Sequence, residues 1–215
     1  MKNLATYIGD FPGTSFEHLA LDRLIRWEKL IYGFDKSRSI GQLRSCLRRF
    51  PRGIVCISSL NAERILGFVD VWPLRTEVFM KLQSGELREE DIHDGWIDSR
   101  ASGDLKHWYF GGVMVDPRLV RSRRLRLARE VFHSISLELF HKFSETRLPC
   151  DLLGICSTTN GRTAAIRWDF KLDKEIDIGD FAFPRATKKI TKKNDALTFN
   201  TRSRSKARVV QKPGV

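Results

Sequence analysis

The hydrophobic positions of the first fifty residues recur at helical spacing. Apolar side chains three or four positions apart run through residues 19–31, which predicts an amphipathic helix. Thr14 and Glu17 precede this run at the spacing of a capping box, so we expect the helix to begin there. A second, shorter helix is predicted over residues 40–50 and is closed by Pro51.

The pattern then changes to the short apolar runs of β-strands. Residues 53–60 and 65–74 are rich in β-branched and aromatic side chains and flank a polar turn, which predicts a hairpin. Residues 107–115 and 149–157 are apolar almost throughout, so we expect two central strands with both faces covered. A last strand is predicted over residues 176–183.

Helical segments separate these strands. The sequence predicts helices over residues 76–82, 120–143 and 159–170, of which the second is the longest and carries a buried apolar stripe. The stretch 86–104 is acidic and polar, and we interpret it as a loop. Alternating strands and helices of this kind predict an α/β fold, and the two apolar strands indicate that both faces of the sheet are covered.

The charge of the chain is concentrated at its C-terminal end. Of the net charge of +12, residues 185–215 contribute ten basic residues and one acidic residue, whereas the other 184 residues hold 28 basic and 25 acidic ones. We therefore expect a folded domain over residues 1–184 and a mobile, basic extension over residues 185–215.

The cysteines and the apolar runs indicate a cytoplasmic protein. The four cysteines form no C-x-x-C pair and have no zinc-site spacing, so we expect buried, reduced thiols and no metal site. No apolar run approaches the length of a membrane span, and the N-terminal residues lack the apolar stretch of a secretory signal.

The order of elements over residues 15–184 resembles the GNAT superfamily of acyl-CoA-dependent N-acyltransferases. GFVDVWPL at 67–74 looks like the third strand of that family, and Val115-Asp116-Pro117 looks like the V-x-P before its phosphate-binding turn. Residues 157–170 resemble the segment that follows its fifth strand. The resemblance implies a GNAT-like mixed sheet and acetyl-CoA, or another acyl-CoA, as co-substrate.

The chain departs from the family at the phosphate-binding turn and at the last helix. The family's turn reads Arg/Gln-x-x-Gly-x-Gly/Ala, whereas residues 120–125, VRSRRL, contain no glycine. Ala165 or Arg167 stands where the family often has a tyrosine that protonates the departing thiolate. By the resemblance, the residues that hold the phosphates are Arg121, Ser122, Arg123, Arg124 and Leu125.

Three interpretations of the arginine run over residues 121–129 remain open. They could form the solvated face of a helix, bind the backbone of a nucleic acid, or replace the glycine-rich loop in holding coenzyme A. Positive charge in the first turn opposes the helix dipole, which favours a bound anion there. The resemblance also implies that Val113, Met114 and Val115 pair with the pantetheine arm. Asn160 would be a polar contact opposite them, or an ordinary N-cap or turn residue.

Three residues are candidates for a general base: Asp70 and, as alternatives, His107 and His93, the last of which lies in the polar stretch 86–104. Asp70 is the one acidic residue in its apolar strand, and it either points outward or lies in a cleft with a raised pKa; simple alternation favours the outward position. His107 begins the central strand. Trp96 is a large ring in the polar stretch 86–104, which we interpret as a lid over the acceptor site.

These observations support three functions of different classes. The first is acetyl transfer from acyl-CoA to the amine of a small molecule or a protein, by direct attack on the thioester. The second is a catalytically inactive acyl-CoA sensor or partner-binding module, which the missing glycines and tyrosine favour. The third is a nucleic-acid-associated protein that uses residues 118–129 and 185–215, although the near-neutral charge of the remaining chain argues against it.

Overall fold

A computed structural model of the chain describes residues 3–32, 38–59, 64–99, 105–121, 127–128, 130–135, 138, 149–156, 158–178 and 181–190. The strands are β1 (Asn3–Tyr7), β2 (Ile54–Ser59), β3 (Ile65–Pro73), β4 (His107–Val115), β5 (Cys150–Ile155), β6 (Lys171–Ile178) and β7 (Phe181–Ile190). The helices are α1 (Ser15–Tyr32), α2 (Ile40–Arg49), α3 (Thr76–Ser84), α4 (Pro117–Arg121) and α5 (Thr159–Arg167), and residues 130–135 are helical as well.

The seven strands form one mixed sheet in the order β1-β2-β3-β4-β5-β7-β6. The neighbouring strands pair antiparallel except β4 and β5, which are parallel. Side chains of α1, α2 and α3 form the core on one face, and the helical residues 130–135 pack with Trp168 on the other face. The predicted α/β fold with a mixed, doubly covered sheet is therefore confirmed.

The predicted helix signals act at the predicted residues. The Thr14 hydroxyl accepts a hydrogen bond from the Glu17 backbone N–H at 3.2 Å, while the Glu17 carboxylate accepts one from the Gly13 N–H at 3.0 Å. Ser39 and Gln42 form a complete capping box at the start of α2. The Thr14 and Ser39 side chains satisfy N–H donors that the first turn of a helix leaves without an intrahelical partner, and the Glu17 carboxylate binds the N–H of Gly13, just before the helix.

The packing around Gly67, at the start of the segment 67–74, leaves no room for a side chain. A Cβ atom at this position would lie 2.6 Å from Val131 Cγ1 and 3.0 Å from the Met114 carbonyl oxygen. The absence of a side chain therefore lets the helical residues 130–135 pack directly on β3. On the same face the Phe132 and Trp168 rings stack at 4.9 Å with an interplanar angle of 4°.

The C-terminal part of the sheet differs from the prediction. The single strand expected over 176–183 is wrong: β6 and β7 form a hairpin, and β7 lies between β5 and β6. Residues 185–190, which we assigned to the basic extension, are thus part of the sheet. Ala186 and Ile190 of this segment are buried while Lys189 is exposed, which is a strand pattern. The lysines made this pattern look like part of a basic tail in the sequence. Residues 191–215 lie outside the described residues.

The stretch interpreted as a polar loop or lid packs into the core. Ile92 and Ile97 are fully buried, and Ile97 forms an isolated β-bridge with Leu74. The Trp96 ring is partly buried against the same core and lies 4.8 Å from the His93 ring. Over residues 86–99 the lid interpretation is therefore wrong, because Ile92 and Ile97 fix the segment in the core. The segment has too few apolar residues for a hydrophobic period to show this in the sequence.

The four cysteines are buried and free, as predicted. Burial raises the pKa of the Cys46 thiol to about 11 and the pKa values of Cys56 and Cys150 to about 12, so all three are protonated at neutral pH. Of the helices in the described ranges, none has the length and apolar character needed to cross a membrane.

Candidate active site

The pairing between the two parallel strands ends before β4 does, and we call the space beside β4 beyond that end the opening. β4 and β5 pair from His107 opposite Asp151 to Phe110 opposite Gly154, and the pairing stops there. β4 continues to Val115, where among the described residues it pairs with β3 alone. The β5-facing edge of residues 111–115 therefore presents backbone N–H and C=O groups to a ligand that lies in the opening.

A β-bulge stands at the mouth of this opening. The register between β3 and β4 shifts so that Asp70 lies opposite Gly112 while Val71 lies opposite Phe110, which makes Gly111 the extra residue. A Cβ atom on residue 111 would overlap Asp70 Oδ2 and lie 2.9 Å from Asp70 Cγ. Glycine is needed here because the Asp70 carboxylate occupies the place of a side chain.

Asp70 is fully buried and takes part in an ion-pair network. Its Oδ2 atom accepts hydrogen bonds from Arg38 Nη2 at 2.7 Å and from Trp72 Nε1 at 3.0 Å. Arg38 Nη2 also donates to Glu28 Oε1 at 2.8 Å, and the Arg38 side chain is only 3% exposed. The prediction that Asp70 points outward is wrong: it does alternate with Val69 and Val71, but α1, α2 and α3 cover its face too.

Two further titratable groups face the same network. Burial raises the pKa of the Glu89 carboxyl, in the turn after α3, to about 7, although Arg38 and the Tyr109 hydroxyl lower it in part. Burial and the Glu89 carboxylate raise the pKa of Tyr109 well above its usual value, and its hydroxyl has no hydrogen-bond partner of standard geometry among the described residues. Burial also raises the pKa of Glu28. We call Glu28, Arg38, Asp70, Glu89 and Tyr109 the acid cluster.

One cation in this cluster faces three carboxyl groups. Burial works against the charge of Arg38, but the Asp70 and Glu28 carboxylates outweigh that effect and raise the pKa of the guanidinium well above its usual value. Arg38 is therefore charged at every relevant pH. With all carboxyl groups ionised, the acid cluster carries a net negative charge at the mouth of the opening.

The three residues predicted to pair with a pantetheine arm lie at the end of β4. Val113, Met114 and Val115 follow the last residue that pairs with β5, so they belong to the free edge of β4. Met114 packs into the core under α1 and α2, whereas Val113 and Val115 pack toward the opposite face. Their backbone groups, and not their side chains, are what a ligand in the opening would meet.

His107 lies at the closed end of the same strand. Its Nδ1 atom is 3.6 Å from Asp151 Oδ2, and its ring is 4.8 Å from the Phe79 ring. It lies four positions before Gly111, which corresponds to about 13 Å along a strand. The structure thus separates His107 from Asp70, and of these two candidate bases only Asp70 adjoins the bulge.

A short helix, α4, follows β4 just before and across the predicted start of the long helix at residue 120. It begins at Pro117, and Asp116 caps it because its carboxylate accepts a hydrogen bond from the Arg118 N–H at 2.9 Å. The same carboxylate forms an ion pair with Arg64 at 2.6 Å. The start of the helix that includes residues 130–135 lies outside the described residues, so the crowding of arginines in its first turn stays a prediction. The Arg121 side chain lies outside the described residues, as do Ser122, Arg123, Arg124 and Leu125.

Thr158, and not Asn160, caps the helix on the other side of the opening. The Thr158 hydroxyl accepts a hydrogen bond from the Gly161 N–H at 3.0 Å, and Asn160 is the second residue of α5. The Asn160 side chain lies outside the described part of the chain. At the end of α5, Asp169 has a φ of 60° and takes the place of the glycine in the family's Gly-Phe.

Sequence reasoning missed most of the acid cluster. Glu28 follows Leu24 by four positions and therefore lies on the apolar face of α1, which was an available signal of a buried carboxylate. Arg38, Glu89 and Tyr109 had no such signal. Among the residues that the structure describes, no group of three or more His, Cys, Asp or Glu side chains could hold a metal ion.

Comparison with known proteins supports the fold. No family model and no curated protein sequence matches the chain. Ard1 from Thermoplasma volcanium aligns with a TM-score of 0.54 at 8% identity over 89% of this chain and 100% of its own. The GphF GNAT-like decarboxylase in complex with isobutyryl-CoA gives 0.53 at 13% identity over 88% and 99%. The loading GNATL domain of CurA from Lyngbya majuscula gives 0.54 at 9% identity over 88% and 98%. The chain therefore has the fold of the GNAT superfamily.

Proposed function

We propose that the protein is an acyl-CoA-dependent N-acyltransferase that transfers an acetyl or other acyl group to an amine of a small molecule or a protein. The observation that carries the proposal is the opening between β4 and β5, which begins at the bulge residue Gly111. An extended pantetheine arm fits such an edge because its two amide groups can hydrogen-bond to a free strand.

The bound thioester would lie beside the bulge in this arrangement. Backbone N–H groups near Gly111 would polarise its carbonyl group, which is where negative charge develops when an amine attacks. The amine nitrogen forms a bond to the carbonyl carbon, the carbon–sulfur bond breaks, and the sulfur leaves as a thiolate. A carboxylate takes the proton that the amine loses, and Asp70 adjoins the bulge whereas His107 does not.

The phosphates of the co-substrate would lie beyond the end of β4. We propose that Arg121, Arg123 and Arg124 bind them, because guanidinium groups hold phosphate oxygens through charge-assisted hydrogen bonds. Ser122 and Leu125 would complete the turn, and Asn160 would contact the pantetheine arm from the start of α5. Since α5 has no tyrosine, the thiolate would take its proton from water.

Calorimetric titration of the full chain with acetyl-CoA and with CoA tests the proposal. We expect micromolar binding, lost at least tenfold in an Arg121/Arg123/Arg124→Ala variant. An Arg48/Arg49/Arg75→Ala variant is the matched control, because it removes three exposed arginines from other elements. Absence of binding by the intact chain would refute the proposal.

A turnover assay separates the enzyme from the sensor. Release of CoA from acetyl-CoA is measured with a panel of amines, and the acylated product is identified by mass spectrometry. Acylated amine supports the proposed activity. Tight acetyl-CoA binding without any acylated product would instead favour the non-catalytic acyl-CoA sensor.

A further inference from the structure

The β-bulge of β4 packs against a buried carboxylate. The Asp70 carboxylate occupies the position that a Cβ atom of residue 111 would take, and the Asp70 side chain is 1% exposed. The register of β3 against β4 shifts directly after Asp70. Because protein interiors are close-packed, a carboxylate that moved would either press on Gly111 or leave a space beside it. The course of β4 beyond Phe110 therefore depends on where this carboxylate lies.

Two side-chain donors fix the position of the carboxylate. Arg38 Nη2 donates to Asp70 Oδ2 at 2.7 Å, and Trp72 Nε1 donates to the same atom at 3.0 Å. The Trp72 ring is fully buried against the backbone of Gly53, where any Cβ atom would overlap the ring. Trp72 is thus fixed by its packing. Arg38 supplies the positive charge that an ionised carboxylate needs in the core.

The Arg38 side chain is itself fixed at both of its ends. The next residue, Ser39, is the N-cap of α2, and its hydroxyl accepts a hydrogen bond from the Gln42 N–H at 3.2 Å. The Gln42 side chain accepts one in return from the Ser39 N–H at 2.8 Å. At the far end of the side chain, Arg38 Nη2 also donates to Glu28 Oε1 of α1 at 2.8 Å. The capping box and Glu28 together determine where the guanidinium can meet Asp70.

We infer that Arg38 is a positioning residue for acyl-CoA binding. Through the Asp70 carboxylate it sets the bulge at Gly111, and the bulge sets the free edge of β4 along which the co-substrate lies. The inference rests on the proposed function for the ligand but not for the geometry. A residue that precedes α2 thereby controls backbone groups in the middle of the sheet.

A positioning role differs from a purely stabilising one in the native state. If Arg38 only stabilised the fold, its replacement would lower the free energy of unfolding and leave the native backbone at Gly111 and Gly112 unchanged. If Arg38 sets the bulge, the native backbone at these two glycines changes. Amide chemical shifts of the folded protein separate the two roles, because they report the local backbone of the native state.

Amide NMR spectra of the ligand-free full chain test the positioning. Arg38→Met replaces the guanidinium with an uncharged side chain, so the Asp70 carboxylate loses its cation. The Gly111 and Gly112 resonances should move in this variant. The resonance of Gly161, in α5 on the other side of the opening, should stay in place.

Arg44→Met is the matched control. Arg44 Nε forms an ion pair at 3.2 Å with the Glu17 carboxylate of α1, whose side chain is 6% exposed. The control therefore removes an arginine that also binds a buried carboxylate of α1, but one that does not involve Asp70. All three glycine resonances should keep their positions in it.

Calorimetric titration with acetyl-CoA tests the consequence for binding. Arg38→Met should weaken binding at least tenfold, whereas Arg44→Met should leave it within twofold. In an Asp70→Ala background Arg38→Met should change the affinity less than twofold, because the carboxylate through which Arg38 acts is gone.

Arg38→Lys is the second variant in case Arg38→Met does not fold. It keeps the positive charge, but its ammonium group ends nearer the backbone and lacks the planar geometry of the guanidinium. It should therefore move the same two glycine resonances and weaken acetyl-CoA binding at least threefold. A folded variant of either kind with the resonances and the affinity of the parent protein would overturn the inference. Displaced resonances with unchanged affinity would overturn it too.

The positioning role and the proposed function fail separately in this design. If the parent protein does not bind acetyl-CoA, the proposed function is refuted, and the glycine resonances of the ligand-free variants still decide whether Arg38 sets the bulge. If the parent protein binds acetyl-CoA and Arg38→Met leaves the resonances in place, the positioning role alone is refuted.

Discussion

Replacing Gly111 with alanine should destabilise the protein strongly, because the new methyl group has to displace a buried carboxylate. The added Cβ would overlap Asp70 Oδ2 and lie 2.9 and 3.2 Å from its Cγ and Oδ1 atoms. The carboxylate cannot retreat without lengthening its bonds to Arg38 and Trp72. Overpacking a core costs about 1–3 kcal/mol and breaking a buried ion pair costs about 3–5 kcal/mol, so we expect a loss of about 3 kcal/mol.

Urea unfolding followed by tryptophan fluorescence measures this loss, with Gly154→Ala as the matched control. Gly154 lies on β5 across the opening, and its new Cβ would meet the nearest atoms at 3.5 and 3.6 Å, which is ordinary contact. Its free energy of unfolding should change by less than about 1 kcal/mol. A loss for Gly111→Ala no larger than for Gly154→Ala would refute the steric reasoning.

A double-mutant cycle sharpens the same test. In an Asp70→Ala background the carboxylate is gone, so Gly111→Ala should cost at least about 1 kcal/mol less than in the parent protein. If Gly111→Ala costs the same in both backgrounds, the clash with Asp70 is not the cause of the loss.

Three further predictions concern stability and reactivity. Asp169→Gly should raise the free energy of unfolding by about 1 kcal/mol in urea, because glycine adopts the left-handed φ of 60° without strain. Burial raises the folded-state pKa of Glu89 to about 7, above its ordinary value of 4.5, so its neutral form favours the native state. The stabilisation from the neutral Glu89 carboxyl is complete below pH 4.5 and is lost as pH rises through 7. Over this pH range the free energy of unfolding should therefore fall more in the wild-type protein than in the Glu89→Gln variant. Thiol titration at pH 8 should find the cysteines unreactive in the native protein and all four reactive in urea, since burial raises the thiol pKa values. A thiol that reacts quickly in the folded protein would contradict its burial.

The elements with a strong local signal were predicted well from the sequence. The bounds of β4 match the apolar run 107–115, and α2 begins at a capping box and ends before Pro51. β1 was missed because five residues, NLATY, are too short and too mixed to show a period. The β6–β7 hairpin was missed because Lys188 and Lys189 of β7 resemble the start of an unstructured basic tail.

The candidate site was less predictable because its contacts are distant in sequence. Asp70 attracted attention as an acid in an apolar strand, but its partner Arg38 is 32 positions away and no local pattern links the two. The pair Gly111-Gly112 is visible in the sequence, yet only the register of β3 against β4 shows which glycine is extra. Strand register and long-range ion pairs follow from the packed fold and not from local periodicity.

The position of β7 has a consequence for how the protein is made. The ribosome completes β5 and β6 before β7, so the outer edge of β5 stays unpaired until residues 181–190 have been synthesised. An unpaired edge of a central, apolar strand is a template for association with other chains. Nascent chains that stall between β6 and β7 should therefore be aggregation-prone clients of chaperones, even though every helix of the opening has already been made.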